Sequence, residues 1–364
     1  MKIAPFKIEE WMNRYESSAL YDLTTTCIKP LSLKELCSSV PDEIMNKNLG
    51  YGDIEGSDRL KDAIKNLYIN QERENITVTH GAIGANQLVF LSLIEKGDEV
   101  ISIVPTYQQH YSIPQALGAN VKLLFLKEKN NWLPDLEELF MTMSSKTKLL
   151  CLNNPNNPTG AVIPDEMLKE IVEIANKYNI WILSDEVYRG LNLYGNPYSL
   201  SIADIYEKGI SVGSMSKTYS LPGLRVGWIT AREDLINEIN HQRQYNTISI
   251  SIIDDYFASL ALETKNSIAY RNFDIMRKGL TVLEEWIASE IYADCILPRG
   301  GTTALIRYKK DIPSRDFARN LQRSTGVAVL PGETLEMEGY FRLGFCTDAL
   351  SPALSLISEF IREL

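Results

Sequence analysis

Residues 209–228 read GISVGSMSKTYSLPGLRVGW, an apolar run, a polar turn and a second apolar run that continues as RVGWITA. Ser214, Ser216, Lys217 and Arg225 therefore collect around one strand end. The residue types matter. A lysine amine whose pKa is lowered by its surroundings can form an imine with an aldehyde cofactor, whereas arginine stays protonated and suits a bidentate phosphate contact. For the string alone, a solvated lysine in a polar loop serves equally well.

The same rhythm extends on both sides of this segment. From about residue 76 to 230, short β-type runs (ITVTH, DEVISIVP, NVKLLFL, KTKLLCLNNP, IWILSDE) alternate with helical patterns (GAIGANQLVFLSLIEKG, YQQHYSIPQALG, DEMLKEIVEIANKYN). Alternation of this kind predicts βαβ units, and the apolar strands predict a mixed or mainly parallel sheet covered on both faces. After about residue 235 the pattern changes to long helical stretches, then to shorter strands near CILPRG, TTALIRY, GVAVLPG and YFRLGFC. We expect a large domain over residues 46–235 and a smaller α+β domain built from both termini, residues 1–45 and 236–364. Only the changed rhythm marks the boundary, because the sequence has no internal repeat, Gly/Ser linker or charge block.

Composition narrows the function. The chain has 364 residues, 45% hydrophobic and 23% charged, which fits a folded protein of about two domains. Its net charge of −10 opposes attraction to nucleic acid or anionic lipid. Five cysteines without CxxC spacing fit reduced thiols rather than a disulfide framework or zinc site. The opening MKIAPFKIEEWMNRYESS lacks the unbroken apolar stretch of a secretory signal, and no apolar run approaches the roughly 20 residues of a spanning helix. A soluble, cytoplasmic protein is expected.

Four other strings carry polar or small residues beside strand-like runs, and each alone is weak. Asn153-Asn154-Pro155-Asn156-Asn157-Pro158-Thr159-Gly160 follows a strand, a composition that commonly means only a loop. Asp185, in Ser184-Asp185-Glu186-Val187-Tyr188, stands at a strand's carboxyl end, where it could bind a ligand or simply cap a helix. Thr79-His80-Gly81-Ala82-Ile83 forms a strand-to-helix turn whose free N–H groups suit a phosphate. Tyr340-Phe341-Arg342-Leu343 places an arginine among alternating apolar neighbours, which by itself reads as a surface arginine on an edge strand.

Taken in order, TxGA, PxY, NNPxNPTG, SDEVY, SxSK and GLRVGW resemble the fold-type I pyridoxal phosphate (PLP) enzymes of the class I/II aminotransferase family over roughly residues 46 to 347. Lys217 lies eight residues before Arg225 and 32 after Asp185, a spacing typical of that family. The resemblance implies a seven-stranded, mainly parallel sheet and PLP as cofactor, with no metal ion required. Lys217 would bond to the cofactor aldehyde as a Schiff base and shuttle the substrate proton, and Asp185 would pair with the pyridine nitrogen. Tyr188 and Asn157 would bond the cofactor's phenolic oxygen, and Tyr107 would stack on the ring. Ser214, Ser216 and Arg225, with the Gly81, Ala82 and Ile83 turn, would cradle the phosphate. Arg342, together with Asn157, would bind the substrate, Arg342 gripping its α-carboxylate. Tyr51 would cross the interface of a homodimer to the partner's phosphate.

Two stretches depart from the family pattern. YDLTTTCIKPLSLKEL replaces the usual glycine-containing loop over the substrate, and Arg299-Gly300-Gly301-Thr302-Thr303-Ala304 suggests a smaller, more polar wall. FKIEEWM, LPRGGTTA and GVAVLPGE also look like a family relative that eliminates and closes a ring on a hydroxylated arginine. Transamination between an L-amino acid and a 2-oxo acid is the leading expectation, and elimination with cyclisation is the alternative. A non-catalytic PLP-binding module would need a fused DNA-binding domain, and the first 45 residues are too few to supply one.

Overall fold

The computed structural model describes residues 2–364. Its strands in chain order are β1 (Tyr21–Asp22), β2 (Ile76–His80), β3 (Glu99–Val104), β4 (Asn120–Phe125), β5 (Thr147–Asn153), β6 (Trp181–Asp185), β7 (Gly209–Ser214), β8 (Val226–Thr230), β9 (Ala293–Cys295), β10 (Thr303–Tyr308), β11 (Val327–Ala328), β12 (Leu330–Pro331) and β13 (Tyr340–Gly344).

Seven of them form one sheet in the order β2-β8-β7-β6-β5-β3-β4. Only β8 runs against its neighbours, so the sheet is mainly parallel, as the apolar runs predicted. Every residue of β3, β7 and β8 is buried, which explains why these strands read as continuous apolar or small-residue stretches rather than alternating ones. At the edge, β4 is largely uncovered and carries Lys122. An edge lysine discourages pairing with another chain.

Helices cover both faces. Asp165–Lys177 turns Leu168, Ile171 and Ala175 inward, an i, i+3, i+7 stripe. Full burial of a leucine or isoleucine contributes about 1.5–3 kcal/mol, so a charged residue at Leu168 would detach this helix. Gly81–Leu93 lies on the other side, packing Leu88, Val89 and Phe90 with Leu183, Val212 and Ile229. Helix Glu233–Arg243 joins that same cluster through Leu235, Ile236 and Ile239. The change of rhythm near residue 235 thus falls within a helix that shares the core of the large sheet.

A second sheet has the order β12-β13-β10-β9, all antiparallel. The long helical stretch after residue 250 divides at Thr264 into Ile252–Glu263 and Lys265–Ser289. Near the amino terminus, β1 pairs with β11 through Tyr21↔Val327 and Asp22↔Ala328, joining the two chain ends. Helix Lys7–Tyr15 precedes it and buries Ile8 and Trp11, with Trp11 Nε1 donating to Val329 O at 3.0 Å. No described helix is long and apolar enough to cross a membrane.

Candidate active site

The carboxyl ends of β5, β6 and β7 deliver Asn153, Asp185 and Ser214 to one edge of the large sheet. Strand β8 runs the other way, so its first residues, not its last, reach that edge: His80 faces Val226 and Ser214 faces Gly227. The reversal is what brings Arg225, immediately before β8, beside the start of helix Gly81–Leu93. Gly81 has φ +65°, and a Cβ there would stand 2.9 Å from Arg225 Nη2. A side chain at 81 is therefore strained by both backbone and space. Gly81 lies behind Arg225, while Ala82 and Ile83 face the cleft.

The cleft has a volume of about 340 Å³. Asn157, Asp185, Tyr188, Ser214, Ser216 and Lys217 line it together with Tyr107, Arg225 and Arg342. Of the site residues expected from sequence, only Gly81 and Tyr51 lie off its walls. Tyr51 is 90% exposed, in a surface groove with Gly52, Ile250 and Ile252.

Asp185 is almost wholly buried. Asn86 Nδ2 donates to its Oδ2 at 3.1 Å, the Val187 amide donates to Oδ1 at 3.2 Å, and His110 Nε2 stands 3.5 Å from Oδ2. These contacts orient the carboxylate and keep it from being an isolated buried charge. Sequence reading missed Asn86 and His110. Asn86 lies three residues after Ile83 in an apolar helix, and that polar interruption was its only signal.

Lys217 Nζ donates to Thr26 Oγ1 at 2.5 Å and to Cys27 Sγ at 3.1 Å. Burial pulls its ammonium pKa down, but Tyr188 and Cys27 nearby outweigh that effect, and among its protein neighbours the net shift is upward. Thr26 and Cys27 belong to the stretch that replaces the family's glycine-containing loop. It is braced at several points: Thr302 Oγ1 donates to Thr26 O at 2.7 Å, Arg342 Nη2 to Thr24 O at 2.7 Å, and the Gly344 amide to Leu23 O at 2.8 Å. Arg299–Ala304 does not line the cleft itself. Its Thr302 supports the wall from behind, which corrects the expectation of a polar surface there.

Arg342 is only 1% exposed. Its Nη1 donates to Asn157 Oδ1 at 3.2 Å, and its Nε has no partner among the described residues. Burial moves its pKa down, partly offset by Tyr188 and Glu9. The Tyr188 hydroxyl is likewise buried without a hydrogen-bond partner. Both residues line the cleft, so each brings a buried, unpartnered polar atom to its wall.

Helix Lys7–Tyr15 closes one side of the cleft with Ile8, Glu9 and Met12, which lie in the FKIEEWM string but were not expected at the site. Tyr107 Oη donates to Glu9 Oε1 at 2.8 Å. Burial foremost, then Glu9, pushes the phenol pKa of Tyr107 upward, so it remains a donor. Its ring packs against Phe6, centroids 4.8 Å apart.

The family model for aminotransferase class I and II matches residues 22–354. The chain is 29% identical to a capreomycidine synthase from Streptomyces vinaceus over 363 residues, covering 97% of this chain and 92% of that one. It is 30% identical to an aspartate aminotransferase from Thermotoga maritima over 296 residues, 80% and 76% of the respective chains. The crystal structure of a PLP-dependent aminotransferase from Streptococcus suis superposes with a TM-score of 0.95 at 42% identity, covering 100% of this chain and 99% of the other. The chain belongs to the class I and II aminotransferase family of PLP-dependent enzymes.

Proposed function

We propose that this protein transfers an amino group between an L-amino acid and a 2-oxo acid, with PLP bound through Lys217. The observation that carries this reading is the convergence of the Lys217 amine, the Asp185 carboxylate and the Arg342 guanidinium on one cleft. The residues fit the cofactor: the buried Tyr188 hydroxyl lacks a partner, and Gly81 leaves room that a side chain would take from Arg225.

Ser214, Ser216 and Arg225, with the amides of Ala82 and Ile83, would hold the phosphate at a helix N-terminus. Asp185 would face the pyridine nitrogen, Tyr188 and Asn157 the phenolic oxygen, and Tyr107 the ring. When bound, PLP supplies an electron sink for the pair left on the substrate α-carbon. Lys217 Nζ would take that α-proton and hold it for redelivery. Thr26 and Cys27 hold the amine while it is not bonded to the cofactor. Arg342 takes the α-carboxylate and leaves the Cα–H bond facing Lys217.

We further propose a homodimer in which Tyr51 of the partner subunit reaches the phosphate. Its 90% exposure beside an apolar groove supports a surface covered by a second copy.

A second reading is elimination with ring closure on an arginine-like amino acid, favoured by the similarity to a capreomycidine synthase along 97% of the chain. Product analysis separates the two. With PLP, an amino donor and 2-oxoglutarate, transamination yields glutamate in step with the donor's oxo acid. Consumption of donor without glutamate would reject transamination and favour elimination.

A further inference from the structure

Proton transfer and cofactor binding leave one charged group of the cleft unused. Glu9 projects into it from helix Lys7–Tyr15, flanked by Ile8 and Met12. We infer that the substrate carries a positive charge at the end of an aliphatic side chain, and that Glu9 is the residue that selects it. This rests on the proposed reading of the cleft as an amino-acid site.

Glu9 is fixed before any ligand arrives. Tyr107 donates to its Oε1, leaving Oε2 without a donor, and the carboxylate forms no ion pair among the described residues. The helix itself is pinned by Lys7 Nζ on Glu336 Oε1 at 2.6 Å, the Lys7 amide on Gln108 Oε1 at 2.8 Å, and Trp11 on Val329 O. A preorganised acceptor with a free oxygen suits a guanidinium or ammonium group. Ile8 and Met12 on the same wall offer apolar surface to the methylenes that would carry such a group.

Charge in the rest of the cleft points the same way. The cations lining it are Lys217, Arg225 and Arg342, and each has a role: reacting amine, phosphate and α-carboxylate. None of this chain's own cleft cations remains for a second carboxylate. An aspartate or glutamate side chain would instead meet the Glu9 charge, which is felt as far as Tyr107 and Arg342. The similarity to aspartate aminotransferases therefore does not extend to dicarboxylate recognition by this chain's own cleft residues.

The test compares L-arginine with L-citrulline, its neutral near-isostere, and with L-norleucine and L-glutamate as amino donors to the holoenzyme. Wild-type kcat/KM should favour arginine over citrulline by roughly 10- to 100-fold, the scale of one charge-assisted hydrogen bond. Glu9→Gln should bring that ratio close to one. Calorimetric binding of arginine and citrulline to borohydride-reduced holoenzyme should follow the same order without turnover. Glutamate matching arginine in the wild type, or Glu9→Gln slowing arginine and citrulline by one common factor, would overturn the inference. The wild-type ratio needs no variant, so a misfolded Glu9→Gln protein cannot rescue the idea. If citrulline and norleucine react while arginine has no advantage, the selectivity falls and the amino-acid site stands. If no donor reacts, the proposed function itself fails.

Discussion

Arg342 Nη1 and Asn157 Oδ1 are 3.2 Å apart although 185 residues separate them in sequence. The contact links β13 to the loop after β5, so the candidate carboxylate fork and a candidate cofactor ligand are positioned by each other. Thr24 O takes the other arm of the same guanidinium. Arg342→Lys retains the charge but cannot bridge both oxygens and a carboxylate. Apparent affinity for amino acids should fall by roughly 1.5–3 kcal/mol, while decarboxylated amines bind as before. Titrating the cofactor absorbance with an amino acid and its decarboxylated amine checks this, and an equal response of both would show that Arg342 is structural.

Asp185→Asn replaces the charge by an amide of similar shape: its Oδ1 still accepts from the Val187 amide, and its Nδ2 can donate to the Asn86 Oδ1, which has no partner among the described residues, once the Asn86 amide turns over. Cofactor should therefore bind while turnover falls by orders of magnitude, because a neutral partner no longer favours a protonated ring nitrogen. Single-turnover kinetics with saturating amino acid measure the loss. Near-normal rates would move the role elsewhere.

Cys27 lies 3.1 Å from the Lys217 amine and is partly exposed, whereas Cys151 and Cys346 are buried. Iodoacetamide should modify Cys27 ahead of those two thiols and block activity, and PLP held at Lys217 should slow the modification by covering Cys27. Peptide mass analysis over time reads the rates with and without PLP, and identical rates would mean that the cofactor does not cover this cysteine.

Much of the fold was legible because buried parallel strands announce themselves as short apolar runs: each strand expected between residues 76 and 230 is present, and β8 was recognised as a strand. Its reversed direction was not legible, since hydrophobic pattern carries no information about orientation. The same limit applies to the site. Lys217, Asp185 and Arg225 stand out because their strings are compact. Glu9 and Thr26 reach the cleft, and Cys27 and His110 reach Lys217 and Asp185, through packing of distant segments, and nothing local distinguishes Glu9 from Glu10 beside it. Thr302 illustrates the opposite error, a polar residue read as cleft wall that instead braces Thr26 from behind.

Mixing subunits tests the proposed sharing of sites. Lys217→Ala and Tyr51→Phe homodimers should each be impaired. After re-equilibration, heterodimers should hold one site with native Lys217 and native Tyr51, because a twofold interface exchanges the same residue both ways. Activity above the sum of the separate variants is expected, with sedimentation confirming dimers. A fully active monomer, or mixtures that never exceed the sum, would remove the shared site.

The account turns on Lys217. Loading the protein with PLP, reducing it with borohydride and digesting it should leave one peptide heavier by a reduced phosphopyridoxyl group, with fragmentation placing that mass on Lys217. The Lys217→Ala protein should yield no such peptide while still folding and retaining phosphate affinity through Arg225. A phosphopyridoxyl mass on another lysine in the wild type, or an unchanged yield in Lys217→Ala, would contradict the central claim.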